Sequence, residues 1–432
     1  MRTVLGFEPF GDGTVLKLRE APVNIPGLGT NELTDVTDPG GTITSRGEAL
    51  LERLRQHPVV SQGLNVALAQ PPTARPEPLY LHMVSNQADQ LPWEQLRAEP
   101  QGFIALDARW PIARIAAIRS PVDRRTFTPP LNIVAVLSAA QRSGVPQLQA
   151  LLAATALPDA RAVDTHLHVI TAEQAVLKAV ESAGRSDVSV EQIASTAPEL
   201  AKQITGAKPH IIHLLCHGGA SGGVRTLAFA HTADFVDDET LVGSVPLKLP
   251  DLVVALVPCA PWLVVLGACQ TAQASETLAP AHELVSQGLP AVAGMRRLID
   301  LNDTDRFCAA LYPEVLATVR IAVADTREHE IDWATTFTAP RQAMAQVDPT
   351  RTDAWSDPVL YVQDSPLRIQ RIDKASAPAA VRSFDMAFLQ GQLDTYERFR
   401  AILDAATTDL AVLTWVHARI DDLRSRLAGG KT

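Results

Sequence analysis

Along this chain, short continuous apolar runs alternate with longer segments whose apolar positions recur every three or four residues. Leu131 to Leu137, Val163 to Ile170, and the apolar stretches that open Ile211 to Gly219 and Leu263 to Ala272 are runs bounded by turn signals. Such runs fit strands buried on both faces of a parallel sheet. Between them, Val145 to Thr155, a segment starting at Thr171 with Gln174 in a capping-box position, and Val190 to Ile204 read as helices. Strands alternating with helices predict a mostly parallel sheet covered on both sides. Nearer the start, Thr14 to Leu18 alternates like one arm of a hairpin, and Ser45 with Glu48 reads as a capping box before the stripe Leu50, Leu51 and Leu54. The stretch Gln70 to Pro78 is proline-rich and reads as a linker. Beyond Ser376, Phe384, Phe388, Leu393, Tyr396, Phe399 and Leu403 mark one amphipathic helix. Leu413, Val416, Ile420, Leu423 and Leu427 then step in a short heptad seam. The expected organisation is an N-terminal β/α extension (1–75), an α/β domain (76–372) and a C-terminal helical region (376–432).

Two of the apolar runs end in reactive side chains. IIHLLCHGG delivers His217 followed by Gly218 and Gly219, and LVVLGACQTA delivers Cys269 followed by small residues. In open α/β sheets the ligand site lies beyond the carboxyl ends of the strands. Two strand ends that carry an imidazole and a thiol predict a Cys/His dyad. A thiolate is the nucleophile, and a nearby imidazole helps form it and later protonates the leaving amine. The tetrahedral oxyanion needs backbone donors, and glycines after the histidine let a carbonyl approach closely. The expected roles are Cys269 as nucleophile, His217 as general acid/base, and the amides of Gly218 and Cys269 as oxyanion hole.

These motifs, separated by about fifty residues, resemble the CHAT domain, a family of bacterial caspase-like cysteine peptidases in the caspase, separase and gingipain clan. Further segments share the resemblance: Leu91 to Leu96 (LPWEQL) with Gly102 to Arg114, Leu289 to Asp303, Phe307 to Leu316, Ala339 to Ala345, and Trp355 to Val362. It runs over roughly residues 75 to 372. Two positions depart from the family pattern: Cys216 stands where a Gly usually precedes His-Gly, and Arg296-Arg297 stands where the family has Trp-Pro. The resemblance implies a caspase-like α/β/α sandwich with a mostly parallel central sheet, followed here by the C-terminal helical region. It also implies an endopeptidase that cleaves a partner protein within a bacterial antiviral defence, stress or cell-death system, switched on by a sensor or adaptor.

Composition narrows the partners. The 432 residues carry a net charge of −10, which argues against nucleic acid as the main ligand. Four cysteines without paired spacing fit a reducing compartment, and MRTVLGFEPF lacks the apolar run of a signal peptide, so a cytoplasmic protein is expected. Leu252 to Cys269 is apolar enough to suggest a membrane span, but Pro258 and Pro261 at its centre read instead as a short helix, a turn and a buried strand. No cofactor and no metal are expected: His213, Cys216, His217 and Cys269 lack a zinc framework, and the acidic loop of Asp234, Asp237, Asp238 and Glu239 lacks the spacing of a calcium loop. For the substrate pocket, Asp300, Asp303 and Asp305 would receive a basic side chain, whereas Arg296 and Arg297 would receive an acidic one. Three alternatives stay open. Gly219-Ala220-Ser221-Gly222-Gly223 matches the G-x-S-x-G of a serine hydrolase literally. The domain could be a catalytically silent scaffold for protein–protein contact. The C-terminal helices fit either packing on the chain's own domain or an interaction module for a sensor, an adaptor or self-association.

Overall fold

The apolar runs pair side by side. The computed structural model describes residues 2–71, 75–116, 123–156, 163–221, 224–236, 243–267, 279–297, 300–346, 348–372, 389–398, 400 and 410–429. Within these, twelve strands join in one sheet. In chain order they are β1 (Thr3–Phe10), β2 (Gly13–Glu20), β3 (Glu32–Thr34), β4 (Leu79–Met83), β5 (Ile112–Ile115), β6 (Leu131–Leu137), β7 (Thr165–Thr171), β8 (Val188–Gln192), β9 (Ile211–Leu215), β10 (Leu263–Leu266), β11 (Ala291–Met295) and β12 (Pro358–Val362). Their spatial order is β8-β7-β6-β9-β10-β11-β12-β5-β4-β1-β2-β3. From β8 to β11 all neighbours are parallel. β12 then turns antiparallel to β11, and β12, β5, β4 and β1 run parallel to one another. The carboxyl ends of β6, β9, β10 and β11 therefore share one rim. The strands that precede the proline-rich stretch lie in the same sheet as those that follow it, because β1 pairs with β4.

Side-chain alternation sends β9 in two directions. Ile212, Leu214 and Cys216 join an apolar cluster with Leu200 and Ile204, Leu249 and Leu252, and Leu284 and Val285. These come from the helices Ala197–Gly206, Leu249–Leu256 and Pro280–Ser286. The opposite face receives His213, which meets the helices Val145–Ala156 and Leu301–Ala322 through Gln147 and Tyr312. Helices on both faces of a mostly parallel sheet make the α/β sandwich that the alternating pattern predicted. As expected, Leu249–Leu256 is a short helix, followed by a turn and the buried strand β10. Among the described residues no helix is long and apolar enough to cross a membrane.

Three element boundaries differ from the sequence reading. The segment read as a helix over Val190 to Ile204 is an edge strand, β8, followed by the helix Ala197–Gly206. Pro198 sits in that helix's first turn, where its missing N–H costs nothing; a helix running through it would lose a hydrogen bond. The helix expected from Thr171 is Gln174–Ala183 with Glu173 at its N-cap. Thr171 instead ends β7, its hydroxyl donating to the Leu137 carbonyl at 2.6 Å. The first helix is capped by Thr42 rather than Ser45, since the Thr42 hydroxyl accepts from the Ser45 N–H.

Beside β4 and β5, the segment Leu91 to Leu96 encloses a buried charge cluster. Arg114 on β5 donates to Asp89 at 2.8 Å and to Glu94 at 2.7 Å, and all three side chains are 0% exposed. The Tyr361 hydroxyl on β12 donates to the same Asp89 at 2.9 Å. The Arg114 charge holds the Glu94 carboxyl below its usual range despite complete burial.

Contacts divide the chain into two units, one of Met1–Asp123, Pro129–Ile321 and Glu330–Leu367, the other of Arg124–Thr128, Ala322–His329 and Arg368–Thr432. The second holds the helix Leu410–Gly429, whose Val416, Ile420, Leu423 and Leu427 are buried with Leu393. The heptad stripe thus closes on a second helical segment of its own unit, with Leu389 and Tyr396 packed alongside. Phe384, Phe388, Phe399 and Leu403 of the expected amphipathic helix lie outside the described residues.

Candidate functional site

The two motif strands are parallel neighbours. Ile211, Ile212, His213 and Leu214 of β9 stand opposite Leu263, Val264, Val265 and Leu266 of β10, and the Gly267 N–H donates to the Leu214 carbonyl at 2.7 Å. Both strands end at the same rim. Gly267 is the last described residue there; Cys269 itself lies outside the described residues.

His217 leaves β9 at this rim and opens a hairpin strand, His217–Ser221, paired antiparallel with Val224–Phe229. Among the described residues its half-buried ring meets one hydrogen-bond partner. Nε2 lies 2.7 Å from the carbonyl oxygen of Ala140, in the loop after β6. A carbonyl can only accept, so Nε2 carries a proton, and in the neutral ring Nδ1 keeps its lone pair. This is the tautomer in which Nδ1 can take a proton from a thiol. Gly218 and Gly219 follow on the exposed side of the hairpin.

Four residues earlier, His213 has the opposite fate. It is 0% exposed, and both ring nitrogens are engaged. Gln147 Oε1 lies 2.7 Å from Nε2 and the Tyr312 hydroxyl 2.6 Å from Nδ1. The amide oxygen only accepts, so Nε2 donates and Nδ1 accepts from Tyr312. Burial holds this imidazole's pKa down to about 3, so it is neutral at pH 7. Having no free nitrogen, His213 serves as a buried polar brace and not as a ligand of the zinc set weighed above. Among the described residues no group of three His, Cys, Asp or Glu side chains is arranged to hold a metal ion.

The brace reaches the rim through Gln147. Its Nε2 donates to Asp305 Oδ1 at 3.4 Å, and its Oε1 packs against Gly267. A Cβ built on Gly267 would sit 3.2 Å from the Leu214 carbonyl, 3.5 Å from Gln147 Oε1 and 3.6 Å from His213. The strand end two residues before Cys269 is therefore packed closely enough that glycine is the residue that fits without displacement.

The pocket residues considered from sequence have partners of their own. Arg297 forks onto Asp357, with Nε at 2.7 Å from Oδ1 and a second nitrogen at 2.9 Å from Oδ2, and also reaches Asp353 at 2.7 Å. Arg296 lies 3.5 Å from the same Asp357. Both arginines line a cavity of about 770 Å³ with Asp12, Asp35, Asp38 and Gln90; His217 is not among its lining residues. Asp300 precedes the helix Leu301–Ala322 and caps it, accepting from the Asn302 N–H at 2.8 Å. Asp303 pairs with Arg306 at 3.3 Å. Asp305 is half-buried, and burial followed by the Asp300 charge raises its pKa despite the Gln147 contact.

Ser221 stands in a hairpin strand, whereas a nucleophile elbow needs a strand directly before it and a helix directly after. The remaining described thiols are subdued: Cys216 and Cys308 are buried, and burial raises the pKa of Cys308 and of the half-buried Cys259. Asp234 of the acidic loop is consumed by the Ser244 hydroxyl at 2.7 Å and by the backbone N–H groups of His231 and Ser244; Asp237, Asp238 and Glu239 lie outside the described residues. Sequence reasoning did not find the Ala140 carbonyl or Gln147. A signal was present, since β6 also ends in small residues, Ser138-Ala139-Ala140, at a strand end of the same kind.

A family model described as the CHAT domain matches residues 44–336. The crystal structure of the Saccharomyces cerevisiae separase–securin complex is similar over 73% of this chain and 17% of the separase-complex chain, at 12% sequence identity and a TM-score of 0.37. This chain thus spans about a sixth of the length of that solved one. No curated protein matches it.

Proposed function

We propose that this chain, which belongs to the CHAT domain family, a caspase-like protease-type domain, is a cysteine endopeptidase with Cys269 as nucleophile and His217 as general acid/base. The observation that carries the reading is the state of His217, which follows the strand next to the one that leads to Cys269: its Nε2 proton is committed to the Ala140 carbonyl. In the proposed reaction Nδ1 accepts the Cys269 thiol proton, and the thiolate attacks the substrate carbonyl carbon. The oxyanion is held by the amides of Gly218 and Cys269. The proton on Nδ1 then passes to the departing amine as the C–N bond breaks. Water, deprotonated by the same nitrogen, hydrolyses the thioester and returns the thiol. By analogy with CHAT peptidases, the substrate would be a partner protein, cleaved in a bacterial defence, stress or cell-death response once a sensor or adaptor engages.

A thiol-reactivity experiment tests the first step. With limiting iodoacetamide, Cys269 is expected to alkylate faster than Cys216, Cys259 and Cys308, and His217→Ala to remove that advantage. Equal rates at all four cysteines, or a Cys269 rate indifferent to His217, would leave the silent-scaffold reading in its place. Cleavage would then be sought as new protein N-termini in cells carrying wild type but not Cys269→Ala.

A further inference from the structure

From the packing beneath the strand ends, we infer that Asp305 is the residue that selects the substrate's P1 side chain, and that it selects lysine or arginine. The inference rests on the peptidase reading above and adds the substrate class to it. A P1 side chain must enter next to the nucleophile's strand end, which here is Gly267. A single amide group, that of Gln147, separates Gly267 from the Asp305 carboxylate: one end packs on the glycine and the other donates to Oδ1. Gln147 is itself fixed by His213, so the donor that meets the carboxylate is held in place by a buried polar contact.

Charge then decides between the two pocket readings. The arginines that would favour an acidic P1 side chain are placed elsewhere: Arg297 is bonded to Asp357 and Asp353, Arg296 lies 3.5 Å from Asp357, and both line a cavity whose lining does not include His217. Of the acidic residues, Asp300 caps a helix and Asp303 pairs with Arg306. Asp305 makes no ion pair among the described residues, and its Oδ2 accepts no hydrogen bond from them. A half-buried carboxylate in this position is unfavourable alone and gains most when a cation arrives to pair with it. A guanidinium or ammonium supplies both the charge and the donors; a leucine would cover the carboxylate without pairing it, and an aspartate would repel it.

The full-length protein would be treated with peptidyl acyloxymethyl ketones that differ only at P1, carrying Arg, Lys, Leu or Asp, and the labelling rate of Cys269 read by mass spectrometry. The Arg and Lys probes are expected to react about tenfold to a hundredfold faster than the Leu and Asp probes. Asp305→Asn, which keeps the Gln147 contact, should collapse the Arg-to-Leu ratio while the protein still shows a cooperative thermal transition; Asp305→Glu should retain much of the ratio. Faster labelling by the Leu or Asp probe, or an Arg-to-Leu ratio that survives Asp305→Asn, overturns the assignment while leaving Cys269 as nucleophile. Failure of every probe to label Cys269 overturns the peptidase reading, and this inference with it.

Discussion

Replacing His213 by Asn should flatten the acid sensitivity of the fold. In the native protein His213 is neutral with its pKa held to about 3; in the unfolded chain it returns to about 6.5. Between those values the unfolded state binds the extra proton, so stability is lost as pH falls from 6.5 toward 3 and is fully present above 6.5. From pH 7.5 to pH 5.0 this one group removes about 2 kcal/mol of stability. That figure depends almost wholly on the unfolded pKa, since at pH 5 the native imidazole is already well above its own pKa. His210, held to about 4 by burial, titrates in both proteins and cancels in the difference. The assay is urea unfolding of wild type and His213→Asn at the two pH values. The variant starts less stable, because Tyr312 and Gln147 lose an ideal partner, at a cost of about 1–3 kcal/mol. Its stability should nevertheless fall by about 2 kcal/mol less than wild type over the interval. Equal falls in the two proteins would mean that His213 is protonated in the native state and that the assignment of donor and acceptor along Tyr312, His213 and Gln147 is wrong.

Other perturbations act on separate parts of the fold. Arg114→Met leaves Asp89 and Glu94 buried without their cation, so a loss of about 3–5 kcal/mol is expected in a thermal or urea melt; a loss under about 1 kcal/mol would show that the cluster is hydrated. Gly267→Ala brings a methyl group to 3.2 Å from the Leu214 carbonyl and should cost about 1–2 kcal/mol while slowing alkylation of Cys269; unchanged stability and rate would mean that the strand end yields freely.

Much of the central architecture was legible because its strands are continuous apolar runs, and continuity survives any register. β6 has the bounds its pattern predicted, and the two motif strands pair as neighbours. The misreading near residue 190 has a physical cause. β8 is a five-residue edge strand with half-buried side chains, so its pattern does not separate a strand from the first turns of a helix. The supports of the site were hidden for a different reason. A backbone carbonyl such as that of Ala140 has no residue signature at all. Gln147 and Tyr312 reach His213 from 66 and 99 residues away, and Arg297 meets Asp357 across 60. Pairings of that span are set by topology, which single-residue chemistry does not reveal.

His213 within β9 and His217 just beyond its end show how a parallel sheet turns sequence position into chemistry. They share a side-chain type, yet they stand four residues apart across the strand end, His213 within β9 and His217 past the bend at Cys216. That placement carries His213 into the core, where desolvation removes its charge and two neighbours take both nitrogens. It carries His217 to the rim, where the Ala140 carbonyl takes one nitrogen and, in the neutral ring, the other keeps a lone pair. A general base needs that remaining nitrogen and a fixed tautomer together. His213 has the tautomer without the nitrogen, so it could not fill the role of general base proposed for His217. The glycines after His217 complete the distinction: past the strand end the chain turns into a hairpin, and without Cβ atoms its exposed amides would be open to a carbonyl in the proposed reaction.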